Sequence, residues 1–409
     1  MDRLGVYGGP VPTPHLHALA KEGVVFDQAI APAPLTQSSH LAMLTGVPPH
    51  ESGVVSNGTH IGNRPAMVQH AFAAAGWDTA AFVSGFPLHS RFGWAQGFRR
   101  YDDDFGRIPG LEQLGLARAV LSLLGSAPIP QRAGDATVSR FRKHAQRMGE
   151  RPWFAWVHLF DAHAPYEAVD PERADTSGAP LSLPDYWPVS HKAITDTAVF
   201  EAAYDAGLAH VDSLLGEILE AVGKDVAVVV VGDHGESLTE HGYLFDHGDH
   251  LYDVTLRVPL LVRAPSAKAG HRVDCQVPLV DLAAILLEIG GLEGAASGWL
   301  EPLGGGDCAH RPALATTVGA RYRANPPIDH ALRMPGEKVI RGEEGWVERY
   351  DLLADPGETV DLGSTDPAAT RAAVARLQAG LAGEVIPLAP ESDPEVEAAL
   401  GALGYVESD

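Results

Sequence analysis

Residues 226–259 read VAVVVVGDHGESLTEHGYLFDHGDHLYDVTLRVP, and the opening of this run sets the fold class. From Val226 to Val231 it is unbroken, apolar and mostly β-branched. That pattern suits a central strand buried on both faces better than a half-exposed one. The run stops at Gly232, Asp233, His234 and Gly235. A hydrophobic strand has no need of a carboxylate and an imidazole at its carboxyl end, but in open α/β sheets that edge is where ligands bind. A hard oxygen beside a borderline nitrogen suits a divalent metal, and the flanking glycines let backbone and ligand approach closely. Glu236, Glu240, His241, Asp246, His247, Asp249, His250 and Asp253 follow at short intervals. Any single histidine among them reads equally well as part of a polar surface loop.

Two other stretches repeat the theme. Residues 31–54 read APAPLTQSSHLAMLTGVPPHESGV. The prolines enforce an extended approach, and Thr36, Ser38 or Ser39 can cap a helix that runs through Leu44 and stops at Gly46. A hydroxyl there also lies where backbone N–H groups and the helix dipole favour an anion. Residues 153–160, WFAWVHLF, form another buried strand, followed by Asp161, Ala162, His163, Ala164, Pro165 and Tyr166. A histidine at a strand end suits general acid work because its pKa lies near neutrality; a His-Asp turn closed by Pro165 is the alternative. His158 reads as structural.

Elsewhere the sequence predicts a helix over 14–22, strands over 24–30 and 77–84, and helices over 65–76 and through 110–150 with a break near 127–130. Further helices are predicted over 193–222, 277–289 and 367–383, with a strand at LLVRAP and short strands at 338–340, 345–347 and 349–353. Strands alternating with helices point to an α/β fold with a large, mostly parallel sheet. Glycines at 304–306 suggest a division into residues 1–303 and a smaller α+β region, 304–409. Residues 167–190 read as a loop over the site, where substrate choice could lie.

GDHGE, the following HG and LYD, and RVPLLV together resemble the sulfatase-like branch of the alkaline phosphatase superfamily, and the likeness extends from Asp2 to Tyr405. The resemblance implies an alkaline-phosphatase-like α/β sandwich and a divalent metal (Ca, Mg, Mn or Zn) held by Asp233, His234 and Thr36. It also implies Thr36 as the nucleophile, with His163 and His247, rather than His250, facing the transferred group. Thr36 stands where the formylglycine-forming sulfatases have Cys or Ser, with Ser38 in place of their Pro and His40 in place of their Arg, so no formylglycine is expected. Ser84 and Phe86 replace a Lys and a His of those enzymes. The opening DRLGVYG resembles the end of a family motif whose first Asp, a metal ligand, would lie before Asp2 together with its strand. The expectation is a reading frame that begins upstream of Met1, the alternative being a truncated, inactive relative.

The implied activity is hydrolysis of sulfate or phosphate esters of small molecules or glycans. Transfer of a phosphoryl or phosphoethanolamine group and non-catalytic binding are the alternatives. With 53 acidic and 30 basic residues, a formal net charge of −23 argues against sequence-independent nucleic-acid binding. Cys275 and Cys308 are too few for a disulfide framework, and no apolar run has membrane-spanning length. Read from Met1 the chain is cytoplasmic; with a preceding segment it is periplasmic or secreted.

Overall fold

The computed structural model describes the chain apart from residues 63–65, 106–130, 150, 167–168, 170–174, 180, 185–186, 188, 293–297, 319–327, 384, 402, 404 and 406–409. The helix and break expected over 110–130 fall outside the described residues, as does part of the loop 167–190. The expected strand at 24–30 forms as β1 (Val24–Ile30). It lies between β6 (Arg257–Arg263), which it pairs antiparallel, and β7 (His271–Pro278), which it pairs parallel. The edge of this mixed sheet is β5 (Val228–Val231), antiparallel to β6. A second sheet is fully parallel: β2 (Asp78–Phe82) lies between β3 (Arg100–Asp102) and β4 (Trp153–Val157).

The valine run is therefore an edge strand of its sheet, half-buried throughout, and not a central strand buried on both faces. The misreading has a physical cause. Val228 and Val230 pack with Leu215 and Leu219 of a long helix, Thr197–Val222, while Val229 and Val231 lean on the main core. Both faces are covered, so both faces are apolar, although one edge has no strand partner among the described residues. Strand β4 is alike: every residue is half-buried, and it too ends its sheet.

Helices α1 (Pro14–Glu22), α2 (Thr36–Thr45), α3 (Val68–Ala74) and α4 (Gly134–Ala145) precede that long helix, α5. The Asp196 carboxylate accepts from Ala198 N–H at its start. Its Ile218 and Val222 pack with Ala155 and Val157 of β4, while Leu215 and Leu219 meet β5. One helix thus packs against strands of both sheets. Helix α6 (Leu282–Ile289) is shorter than the predicted 277–289, because β7 runs on to Pro278. A four-stranded antiparallel sheet follows, in the order β11 (Val347–Asp351), β10 (Glu337–Arg341), β9 (Asp329–Met334), β8 (Ala313–Thr317), with α7 (Pro367–Gly380) packed on it. The last helix, α8 (Pro394–Gly401), leaves this sheet and buries Val396 and Leu400 in the core around α2. Cys275 and Cys308 are joined in a disulfide. No helix among the described residues is long and apolar enough to cross a membrane.

Candidate active site

Helix α2 begins at Thr36, after an extended Leu35 that makes no side-chain cap. The capping role foreseen for a hydroxyl is taken instead by Asn57, whose Oδ1 accepts from Gln37 N–H at 2.9 Å. The Thr36 hydroxyl is thereby released from backbone duty. Ser39 Oγ donates to the Asp233 carbonyl at 2.6 Å, fastening the helix to the end of β5. His40, one turn on, lies with its Nδ1 2.8 Å from the Thr36 carbonyl and 3.4 Å from Asp233 Oδ2.

Strand β4 delivers the other half. His158 follows it directly, and its ring meets His40 with 5.2 Å between centroids. Burial, reinforced by His40, holds the His158 imidazole down to about 3, so it is neutral near pH 7 and has a lone pair to offer. His40, His158 and Asp233 each present one donor atom, and the three atoms lie within 4.8 Å of one another. Burial opposes ionisation of Asp233, but the imidazoles of His234, His40 and His158 outweigh it and keep the carboxyl well below its usual range. Two neutral imidazoles and a carboxylate form a donor set that a divalent cation of borderline softness fits.

The expected pair Asp233–His234 is adjacent in space as in sequence, with 3.5 Å between Asp233 Oδ2 and His234 Nε2. His234 turns its Nδ1 to the Gly235 carbonyl at 2.9 Å and stacks on His247, 4.3 Å between centroids. Beyond it stand the residues expected to meet the transferred group. His163 and His247 pack edge to face at 4.9 Å. His163 Nε2 lies 2.9 Å, His247 Nε2 3.2 Å and Thr36 Oγ1 3.5 Å from one atom, the Tyr405 hydroxyl oxygen. The three residues singled out as catalytic converge on one point.

A hydroxyl has one proton and two lone pairs, which fixes the protons around that point. His163 Nδ1 faces the Ala164 carbonyl, so it carries the proton and Nε2 accepts from Tyr405. His247 Nε2 must then be the donor toward the Tyr405 oxygen, and its Nδ1 accepts from Glu236 Oε2, 3.2 Å away. That requires a protonated Glu236, and burial pushes the Glu236 carboxyl up to about 8. Burial also holds both imidazoles far below their usual value, and hence neutral. The chain Glu236–His247–Tyr405–His163 is uncharged and internally consistent, with the His247 N–H pointing into the site.

His40, His158, Glu236 and Tyr405 are the members that sequence reasoning left out. The first two carried a signal: one lies a helical turn after Thr36, the other one residue past a buried strand. Tyr405 carried none, because it is separated from Thr36 by 369 positions.

A carboxylate and two imidazoles whose donor atoms could hold a cation thus lie near a buried hydroxyl and two uncharged histidines, close to the carboxyl ends of strands, an arrangement suited to ester hydrolysis. The model of the Sulfatase family matches residues 1–292. The chain belongs to that family, and it is a hydrolase of sulfate or phosphate esters. A sulfatase of Formosa agariphila is 23% identical, covering 86% of this chain and 78% of the relative. Among solved structures, the phosphonate monoester hydrolase of Agrobacterium radiobacter superposes with a TM-score of 0.70 at 20% identity, over 91% of each chain. BT4656, solved in complex with its substrate D-glucosamine-2-N,6-O-disulfate, gives a TM-score of 0.70 at 18% identity, covering 94% of this chain and 95% of that one. These likenesses confirm the alkaline-phosphatase-like α/β fold.

Proposed function

We propose that Thr36 is the nucleophile of a two-step ester hydrolysis. The Thr36 hydroxyl oxygen attacks the sulfur or phosphorus in line, and the ester oxygen leaves with the proton of His247 Nε2 while the Glu236 proton moves to His247 Nδ1, so that the imidazole stays neutral and Glu236 becomes the carboxylate. The proton lost by Thr36 passes to His163 Nε2, whose lone pair faces the same point. Water then cleaves the covalent threonine ester and restores the hydroxyl. Asp233, His40 and His158 are the residues that would hold a divalent cation, with His234 beside them. When bound, such an ion supplies positive charge against the developing oxyanion. Two nitrogens and one carboxylate favour zinc, or manganese, over calcium and magnesium, which prefer all-oxygen shells. No formylglycine is involved, since Thr36 has neither the thiol nor the primary hydroxyl from which it forms.

The observation that carries this reading is the convergence of Thr36, His163 and His247 on one oxygen position. A glycan sulfate or phosphate ester is the substrate class we favour, supported by the sulfated monosaccharide named as substrate of the neighbouring structure. The Cys275–Cys308 pairing supports an oxidising compartment, in place of the cytoplasm. The test is hydrolysis of paired aryl sulfate, phosphate monoester and phosphodiester substrates with added Zn, Mn, Mg or Ca, using the chain and its Thr36→Ala variant. Turnover of one ester class, abolished by Thr36→Ala, is expected. Turnover that survives Thr36→Ala would remove the nucleophile from this reading.

A further inference from the structure

The Tyr405 hydroxyl stands at the point on which Thr36, His163 and His247 converge. Its oxygen is 3.5 Å from Thr36 Oγ1 and within hydrogen-bond distance of both histidines. A sulfur or phosphorus atom poised for attack also stands roughly 3–3.5 Å from its nucleophile. An ester oxygen bonded by the same three side chains would need the place the Tyr405 hydroxyl now holds. Nor is there a way past: Thr36 is 0%, His247 1% and Tyr405 4% exposed.

The segment that carries Tyr405 is laid along the surface in its first half and seated in the core by its last. Residues 385–391 run along the chain just after α2, with Val385 N–H on the His50 carbonyl, Leu388 N–H on Gly53 and Glu391 N–H on Gly58, at 3.0, 2.8 and 2.8 Å. Half-exposed Arg91 ties the entry to α8 through Glu391 and Asp393, at 3.3 and 2.8 Å. Val396, Leu400 and Leu403 then seat the tail in the apolar cluster around α2. Ion pairs this exposed hold weakly, so the strap has a surface latch and a buried tip.

We propose that the C-terminal strap, residues 385–401 with Leu403 and Tyr405, is a tethered competitor of the substrate, with the Tyr405 hydroxyl in place of an oxygen of the group transferred. The strap withdraws for the ester or its anionic product to bind. This rests on the reading of Thr36, His163 and His247 as the site, but it can fail or stand separately from the hydrolase activity.

The test uses inorganic phosphate as probe, on the full chain, Tyr405→Phe and Arg91→Ala. Removing the hydroxyl takes away contacts that hold the closed state, and one such bond is worth about 1 kcal/mol, or roughly fivefold. Phosphate is therefore expected to bind about fivefold more tightly to Tyr405→Phe, and more tightly to Arg91→Ala, whose tyrosine is intact. Phosphate should also accelerate chymotryptic cleavage after Tyr405 in the unaltered chain. Equal or weaker binding in both variants, no binding in any of the three proteins, or cleavage that phosphate leaves unchanged would each overturn the proposal. A Tyr405→Phe protein that loses kcat at unchanged KM would overturn it too, and would make Tyr405 a catalytic residue. If phosphate displaces the strap yet no ester is hydrolysed, the strap stands and the hydrolase reading falls.

Discussion

Two clusters of buried charged and polar groups lie within a short stretch of the same loop, and they are built in opposite ways. At the strand ends, one carboxylate, Asp233, faces His40, His158 and His234 with no Lys or Arg among the neighbours that set its charge. In the first turn of α2, the buried Ser38 hydroxyl has no hydrogen-bond partner among the described residues. Some twenty residues on, Asp253 enters a matched quartet. Arg333 Nε lies 3.0 Å from each of its oxygens, and Lys338 Nζ lies 3.0 Å from Asp253 and 2.8 Å from Glu358. Two cations meet two anions, and Lys338 is fully buried. The quartet clamps the antiparallel sheet to the loop after the site. A cluster that balances its own charge leaves nothing for a ligand to do, whereas one short of cations has room for a metal.

The comparison is broken first by the nucleophile. Thr36→Ala removes one buried hydroxyl and should leave thermal stability nearly unchanged while costing about 10³-fold or more in turnover. Rate and melting temperature measured on the same preparation check both halves. In the quartet the balance should reverse. Lys338→Met leaves Glu358 without its cation, next to an Asp253 held by Arg333 alone, and breaking a buried pair costs about 3–5 kcal/mol. Denaturant unfolding should show that loss, with the metal content of the surviving folded protein unchanged. A Lys338→Met protein as stable as the parent would show that the quartet is not the structural half of the pair.

These contrasts also show what a sequence can carry. Asp233 and Asp253 were both visible as acids in a histidine-rich loop, and nothing local distinguished ligand from clamp. Their partners decide it, and those partners lie on β4, α2, β9 and β10. His163 stood out because it follows a buried strand, where a polar group has no structural reason to appear, whereas Thr36 and His247 were singled out by the family resemblance. The α/β class was legible from alternation. The place of the valine run in its sheet was not, because a helix on one face and a core on the other give an edge strand the composition of a central one. His158 was passed over since a single histidine near a strand is usually structural, and only the meeting of β4 with β5 makes it a ligand candidate.

Replacing a residue proposed to hold the cation sharpens the comparison from the other side. His158→Ala should weaken retention of added zinc about 10–100-fold while the fold persists, since the imidazole is neutral and its loss strands no charge. Equilibrium dialysis, with circular dichroism on the same samples, reads both. Zinc retention equal to that of the parent would move the cation away from His40, His158 and Asp233.

The smallest effect expected is a difference in acid response. Burial opposes the Asp253 charge, but Lys338 and Arg333 outweigh it, so the folded carboxyl titrates well below its ordinary value near 4. A depressed folded pKa means that the stabilisation is fully present above the unfolded value and is lost as pH falls through and below it. Glu358 moves the other way: burial raises it, and Lys338 only partly offsets that. Its contribution therefore works against stability once the pH rises above its unfolded value, and it softens the acid dependence contributed by Asp253. Unfolding free energy followed between pH 3 and 7 should fall toward the acid end in the parent. Asp253→Asn should be less stable at neutral pH and show a flatter profile, because the group that titrates is gone. A profile as steep as the parent's would assign the acid sensitivity to other carboxylates and leave the quartet as a matter of packing alone.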